Sequence, residues 1–260
     1  MKYILFLLLL SGCLCCVALA KDKKAPDAPE TLRFYADQLG FRIGSGIKPK
    51  SWDQDEEGRR ILGSEFNSTL EMGMMNSTQN FDRMDRTLRF AKEHNMKIWG
   101  SALIYRPDSL TPEMREKMRG GPRRSFSPEE LDGIMKKHIQ SVVRHGGDMF
   151  YAWGVVNEPL SHHNNPWEII LGSDEYIEKA FRYAREATSV PLVLNETFGQ
   201  KGIDKDRADE FFGIVKRMKA RGVPIDGVGT EMHLEAQQLD PDYLEQFKDF
   251  LRRAREMNPH

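Results

Sequence analysis

Glu158 combines a reactive side chain with a position that favours chemistry. It follows Asn157 directly, at the end of the apolar run 153–156. Cleavage of a glycosidic bond needs a carboxylic acid that protonates the leaving oxygen. It also needs a polar neighbour that binds the sugar 2-hydroxyl as positive charge develops at the anomeric carbon. Glu158 and Asn157 have the side chains for these two roles. The alternative interpretation is a glutamate that caps the helix after the strand.

Polar residues end several other apolar runs of the chain: Asn67, Ser101, Asn195 with Glu196, and Glu231 with His233. In a barrel of parallel strands the carboxyl ends meet at one face, and reactive groups there come from many different strands. We therefore expect these side chains to surround a single site together with Glu158.

The elements that must position these side chains alternate along the chain. Strands are predicted over residues 41–47, 66–70, 97–105, 150–157, 192–194 and 225–234. Helices are predicted over residues 56–63, 81–94, 127–145, 174–187, 204–221 and 241–257. This order indicates the α/β class, either a doubly wound sheet or a (β/α)8 TIM barrel. Reactive groups at many strand ends, with no G-x-G-x-x-G after the first strand, favour the barrel, of which about six strand–helix units are present.

Composition and charge bound the remaining possibilities. The 260 residues are 40% hydrophobic and 30% charged, which excludes a disordered tail or a disulfide mini-protein. The formal net charge of −1 gives no whole-domain electrostatic case for nucleic-acid binding. A mean hydropathy of −0.57 and no apolar run after the start argue against a membrane-embedded body. Residues 21–35 are predicted as a linker or N-terminal segment, and residues 36–260 as one domain.

The first 20 residues have the pattern of a signal peptide. Lys2 precedes the apolar run 3–10, and residues 17–20 offer a cleavage site of small residues, which predicts secretion to the periplasm or the outside of the cell. The alternative is a lipobox over residues 10–13, which predicts a lipoprotein anchored through Cys13. All three cysteines lie in this segment, so a mature chain that starts near Lys21 would have no thiol, disulfide or cysteine metal site.

Four blocks, at residues 65–68, 96–100, 153–158 and 227–233, together resemble glycoside hydrolase family 10. Members of that family are mostly endo-β-1,4-xylanases on a (β/α)8 barrel, and the resemblance extends over residues 41–257. It implies a retaining mechanism, with two carboxyl groups about 5–5.5 Å apart and a covalent intermediate. It also implies a polysaccharide or oligosaccharide substrate, most simply xylan, and a chemistry that requires no cofactor and no metal. Neither a nucleic acid nor a partner protein is implied.

The resemblance assigns roles residue by residue. Glu158 matches the general acid/base, Asn157 the residue that holds the 2-hydroxyl, and His233 the histidine that orients the nucleophile. Glu71 matches an acidic residue that contacts the second sugar on the non-reducing side. Four further residues are predicted to contact substrate: Asn67, Tyr105, Asn195 and Glu231. Trp167 is either a sugar-stacking platform or a packing residue at a helix start.

The sequence departs from the family pattern inside the predicted site. Met72 and Met75 replace a sugar-binding asparagine and lysine, Ser101 replaces a histidine, and Glu231 replaces a glutamine. Each lost hydrogen bond is worth about 0.5–1.5 kcal/mol. The family nucleophile lies on a seventh strand, which we expect beyond His260, so the domain is predicted to be incomplete. The alternatives are therefore a catalytically silent carbohydrate-binding relative, a glycosidase of altered specificity, or a truncated fragment. A separate possibility is that Glu231 serves as a substitute nucleophile.

Overall fold

The computed structural model describes residues 30–46, 55–72, 81–105, 114, 116–117, 121, 126–161, 165–235 and 240–257. Several sequence-based expectations lie outside these residues. They are the signal peptide over residues 1–20, the lipid anchor at Cys13, the linker over residues 21–29, and the replaced lysine position at Met75.

Six parallel strands form a single sheet in the order in which they occur in the chain. They are β1 (Gly44–Gly46), β2 (Ser68–Met72), β3 (Lys97–Ile104), β4 (Phe150–Asn157), β5 (Leu192–Thr197) and β6 (Gly227–Glu231). A doubly wound sheet reverses its strand order at a switch point, and this sheet does not, as the barrel prediction requires. Within the described ranges, β1 and β6 each pair on one side.

One helix precedes β1, and the others follow the strands and cover the outer face of the sheet. They are α1 (Leu32–Leu39), α2 (Glu56–Glu65), α3 (Asp82–Glu93), α4 (Pro128–Gly146), α5 (Pro166–Leu171), α6 (Glu175–Arg185), α7 (Lys205–Ala220) and α8 (Tyr243–Met257), with a 3₁₀ turn at Gly147–Met149. The N-cap Ser127 accepts a hydrogen bond from the Glu130 amide, and Pro128 fills the first helical position of α4. None of the helices in the described ranges is long and apolar enough to cross a membrane.

Two helices were not predicted from the sequence. The first, α1, starts at Leu32 inside the segment predicted as a linker, and Thr31 caps it by accepting a hydrogen bond from the Phe34 amide. The second, α5, has six residues, too few to show a helical period, and Asn165 caps it. Short capped helices of this kind are fixed by tertiary contacts rather than by a repeating apolar pattern.

The core lies between the sheet and the helices, and β4 forms its centre. The rings of Phe150 and Trp153 stack at a centroid distance of 4.0 Å, and both side chains are buried. Two glycines make room for them: a Cβ at Gly100 on β3 would lie 2.3 Å from Trp153 Cε3, and a Cβ at Gly146 on α4 would lie 2.6 Å from the ring of Phe150. Close packing against these two glycines therefore fixes how α4, β3 and β4 fit together.

Candidate active site

A row of four polar side chains crosses the carboxyl ends of β4, β5 and β6. The amide Nδ2 of Asn195 donates to Asn157 Oδ1 at 2.7 Å and to Glu231 Oε1 at 2.8 Å. The imidazole Nε2 of His233 lies 2.9 Å from Glu231 Oε2. We call Asn157, Asn195, Glu231 and His233 the amide–carboxylate row. The structure therefore brings together four of the predicted site residues.

Strand register explains why the row forms. Asn157 is paired with Asn195 across β4 and β5, and Gly229 is paired with Asn195 across β5 and β6. A Cβ at Gly229 would lie 2.3 Å from Asn195 Oδ1, so the glycine leaves the space that the amide occupies. One amide with two N–H groups can then bond an acceptor on each neighbouring strand.

Glu158 lies directly after β4 in an uncommon backbone conformation. Its φ is +51°, in the left-handed region that non-glycine residues seldom adopt, and its side chain is buried. Its amide donates to Asn195 O at 2.8 Å, and its carbonyl accepts from the Ser161 amide at 3.2 Å. Such backbone strain costs about 1–3 kcal/mol and is found preferentially at functional sites, where surrounding contacts maintain it.

The phenol of Tyr105 contacts the carboxyl group of Glu158. Tyr105 follows β3, and its hydroxyl donates to Glu158 Oε2 at 3.0 Å. The backbone of Tyr105 is fixed in turn by Trp167, whose indole N–H donates to Tyr105 O at 3.0 Å. Trp167 is 1% exposed, so it packs and positions Tyr105 and does not offer a surface on which a sugar can stack.

The structure corrects the expectation for Glu196, which was predicted with Asn195 to lie among the side chains around the site. It follows Asn195 on β5, and because side chains alternate along a strand it points to the opposite face, toward the helices. It is 0% exposed and lies 3.1 Å from the guanidinium of Arg207, in the first turn of α7. Alternation within the pair 195–196 was the sequence signal that would have distinguished the two faces.

The structure corrects the expectation for Asn67. This residue precedes β2, so it lies at the amino end of the strand, across the sheet from the amide–carboxylate row. Its Oδ1 accepts from the Ile43 amide at 2.9 Å, and its Nδ2 donates to Phe41 O at 3.0 Å and to Asp37 Oδ1 at 2.8 Å. Asn67 ties the segment before β1 to β2, and its polar atoms are engaged there rather than at a substrate.

Glu71 also lies outside the site. Its side chain is buried against α3, where Thr87 Oγ1 donates to Oε2 at 2.5 Å and Arg83 Nε lies 3.1 Å from Oε1. Burial raises the pKa of the Glu71 carboxyl above its ordinary value, although Thr87 and Arg83 act in the opposite direction. The side chain faces the helix layer, so the predicted contact with a second sugar is corrected as well.

The arrangement can perform acid–base chemistry. One carboxyl group, Glu158, has a phenol donor, and a second, Glu231, is oriented by an amide and an imidazole. Within the described ranges, no three His, Cys, Asp or Glu residues come together as a metal site would require. The carboxyl groups that these contacts orient at the carboxyl ends of the strands are those of Glu158 and Glu231.

Comparison with known proteins gives a consistent result. The family model of glycosyl hydrolase family 10 matches residues 31–258. The endo-1,4-beta-xylanase C of Paenibacillus barcinonensis is 27% identical in an alignment of 268 positions. The match covers 94% of this chain and 24% of that protein. The endo-1,4-beta-xylanase B of Thermotoga neapolitana is 27% identical, with 96% of this chain and 70% of that protein covered. The chain thus spans about a quarter of the first relative.

The solved structures agree with the sequence relatives. The crystal structure of xylanase 10B from Thermotoga petrophila RKU-1 in complex with xylobiose superimposes with a TM-score of 0.77 at 27% identity. The match covers 89% of this chain and 71% of that one. The six strands are therefore part of a (β/α)8 barrel, which confirms the predicted fold class.

Proposed function

Because this chain belongs to glycosyl hydrolase family 10, we propose that it hydrolyses β-1,4-linked xylan with Glu158 as the general acid/base. The observation that carries the proposal is the placement of Glu158. Its carboxyl group is buried, accepts a hydrogen bond from Tyr105, and lies beside Asn157 at the carboxyl end of a barrel strand. That is the face where barrel enzymes have their active sites.

The proposed chemistry is a double displacement. The carboxylic acid of Glu158 gives its proton to the glycosidic oxygen as the bond from that oxygen to the anomeric carbon breaks, and a second carboxylate bonds to that carbon. The Glu158 carboxylate then takes a proton from water, whose oxygen displaces the second carboxylate and releases the sugar. In this scheme Asn157, held by Asn195, binds the 2-hydroxyl during both steps.

Two sources of the second carboxylate follow from the residues. The family resemblance assigns it to a strand after β6, and the described residues contain no strand after β6. Glu231 is the second carboxylate of the site, and its oxygens already bond to Asn195 and contact His233. The variant Glu231→Gln restores the family residue, so it distinguishes the two sources. Unchanged hydrolysis assigns the role to another segment, and a loss as large as that of a Glu158 variant assigns it to Glu231.

The experiment compares the chain with its Glu158→Gln variant on xylo-oligosaccharides. We expect the variant to lose at least about 100-fold in kcat/KM, the usual contribution of a general acid, while xylo-oligosaccharide binding stays within a few fold. Glu57→Gln on the exposed surface of α2 is the control, and it should leave both quantities unchanged. If the unmodified chain binds xylo-oligosaccharides without cleaving them, the catalytically silent alternative holds. If aryl xylosides react no faster than other aryl glycosides, the assignment of xylan is wrong.

A further inference from the structure

Glu196 is a fully buried carboxylate that the proposed reaction does not use. Its Oε2 accepts from the Leu160 amide at 2.7 Å, and its Oε1 accepts from Ser161 Oγ at 2.7 Å. The same Oε1 accepts from the Thr197 amide at 2.9 Å and from Arg207 Nη2 at 3.1 Å. Leu160 and Ser161 belong to the turn that begins at Glu158, so two of these four donors lie on the segment that carries the proposed acid/base.

Arg207 completes the arrangement from the helix layer. It donates through Nε to Thr197 O at 2.8 Å and through Nη2 to Ser161 Oγ as well as to Glu196. A buried carboxylate is tolerated only when a charged partner and hydrogen bonds compensate its lost hydration, and Arg207 supplies that partner here. The four residues Ser161, Glu196, Thr197 and Arg207 form what we call the turn clamp.

We propose that Glu196 is a positioning residue that fixes the turn over residues 158–161 and thereby aims the carboxyl group of Glu158. The proposal rests on the function proposed above. One end of the turn is tied to β5 by the Glu158 amide, and the other end is tied to the same strand through Glu196. Contacts at both ends hold Glu158 at its positive φ, which the residue would otherwise leave.

The effect of removing the Glu196 carboxylate follows from the number of hydrogen-bond donors that it accepts. In Glu196→Gln, the amide nitrogen cannot accept a hydrogen bond, so either the Leu160 amide or the three donors from Ser161, Thr197 and Arg207 lose their acceptor. The turn must then shift. Proton transfer depends on the distance and direction between the acid and the leaving oxygen, so a shift of the turn reduces acid catalysis more than binding.

The experiment measures how far catalysis depends on the leaving group. Xylotetraose releases a sugar alkoxide that must be protonated, whereas dinitrophenyl β-xylobioside releases an anion that needs no proton. We take kcat/KM for xylotetraose divided by kcat/KM for dinitrophenyl β-xylobioside as a measure of acid catalysis. In Glu158→Gln the ratio should fall at least about 100-fold, and in Glu196→Gln it should fall about 10-fold with KM nearly constant. Ser161→Ala, which removes a single donor, should lower the ratio about 3-fold.

Asp132→Asn is the matched control. Asp132 on α4 accepts hydrogen bonds from Lys179 at 2.8 Å and from Tyr183 at 2.9 Å, both on α6 and both in the helix layer. Its loss should lower the melting temperature without changing the ratio. The positioning role is overturned if Glu196→Gln lowers kcat/KM for both substrates by the same factor, which is the result expected of a purely structural role. It is likewise overturned if Asp132→Asn changes the ratio as much.

A second readout separates this proposal from the proposed function. Hydrogen exchange of the Leu160 amide should accelerate at least 10-fold in Glu196→Gln, while exchange of core amides on β4 stays close to that in Asp132→Asn. If the unmodified chain cleaves neither substrate, the proposed hydrolysis fails and exchange alone decides on the clamp. Unchanged exchange at Leu160 in Glu196→Gln then rejects it.

Discussion

At the scale of single residues, the site consists of side chains whose partners lie on neighbouring strands. Asn195 connects Asn157 and Glu231, and Tyr105 reaches Glu158 from β3. Each of these bonds joins residues more than 30 positions apart in the chain. The precision of the site therefore depends on the register of β3 to β6, and single substitutions test that dependence directly.

Removing the phenol hydroxyl of Tyr105 tests the contact to Glu158. A hydrogen bond of this kind contributes about 0.5–1.5 kcal/mol, so Tyr105→Phe should lower kcat/KM on xylo-oligosaccharides about 2- to 10-fold. Tyr35→Phe, at an exposed position of α1, is the control and should change nothing. An unchanged rate constant in Tyr105→Phe would show that the contact has no part in the reaction.

The sequence predicted the members of the amide–carboxylate row because each lies at or just after the end of an apolar run. It misplaced Asn67 and Glu71 for two separate reasons. Asn67 lies just before β2 and not at its carboxyl end. The apolar pattern alone does not show at which residue the strand begins, so the two ends could not be told apart. Glu71 follows Leu70 within β2, and successive side chains of a strand point to opposite faces of the sheet. Glu71 therefore points to the outer face, toward α3. Glu196 was also expected at the site, and strand alternation places it on the outer face as well.

At the scale of elements, helix α4 is joined to β3 by a buried histidine. His138 Nε2 lies 2.9 Å from Leu103 O, and the ring is 4% exposed. Burial lowers the pKa of His138 from 6.5 to about 4, while the contact with the Leu103 carbonyl acts in the opposite direction. The neutral imidazole therefore belongs to the folded state, and protonation favours unfolding.

The pH dependence of stability should reflect this histidine. Its folded-state pKa lies below its unfolded value, so its contribution is complete above about pH 6.5 and is lost as the pH falls toward about 4. From pH 7 to pH 4, the free energy of unfolding should fall by up to about 3 kcal/mol more in the natural chain than in His138→Gln. Urea unfolding at both pH values measures this difference. The opposite contribution of Glu71 is common to both proteins, and equal pH slopes would contradict the prediction.

Two glycine substitutions should have opposite effects on stability. Gly100→Ala places a methyl group against the buried ring of Trp153 and should destabilise the chain by about 1–3 kcal/mol. Gly133→Ala on the exposed side of α4 meets no atom within 4 Å and should stabilise it by about 0.5–1 kcal/mol, because alanine favours a helix. Thermal unfolding of both variants measures the difference. If Gly100→Ala melted at the same temperature as the natural chain, β3 and β4 would have room to separate.

At the scale of the whole molecule, the described sheet ends in two edge strands, β1 and β6, and the helices next to these strands in the chain expose apolar residues. Strand β1 is exposed along its length, and α1 exposes Leu39. Helix α8, which follows β6 in the chain, exposes Leu244 and Leu251. Unpaired strand edges and exposed apolar residues favour association between chains.

Association should therefore depend on concentration and on α8. We expect the weight-average mass in sedimentation equilibrium to rise with concentration, and to rise less in a chain that carries Leu244→Lys and Leu251→Lys. Glu245→Lys adds positive charge to the same helix without removing apolar surface, and it should associate like the natural chain. A monomeric mass at every concentration would contradict this expectation.

The strand order also has a consequence for synthesis. Each strand after β1 pairs with the strand that left the ribosome just before it, so the sheet can grow one unit at a time in the direction of translation. Because no described strand is inserted between two earlier ones, a nascent chain never has to reopen a formed pairing. Asn157, Asn195 and Glu231 accordingly come together in the order of their codons, and the site is assembled only when β6 has emerged.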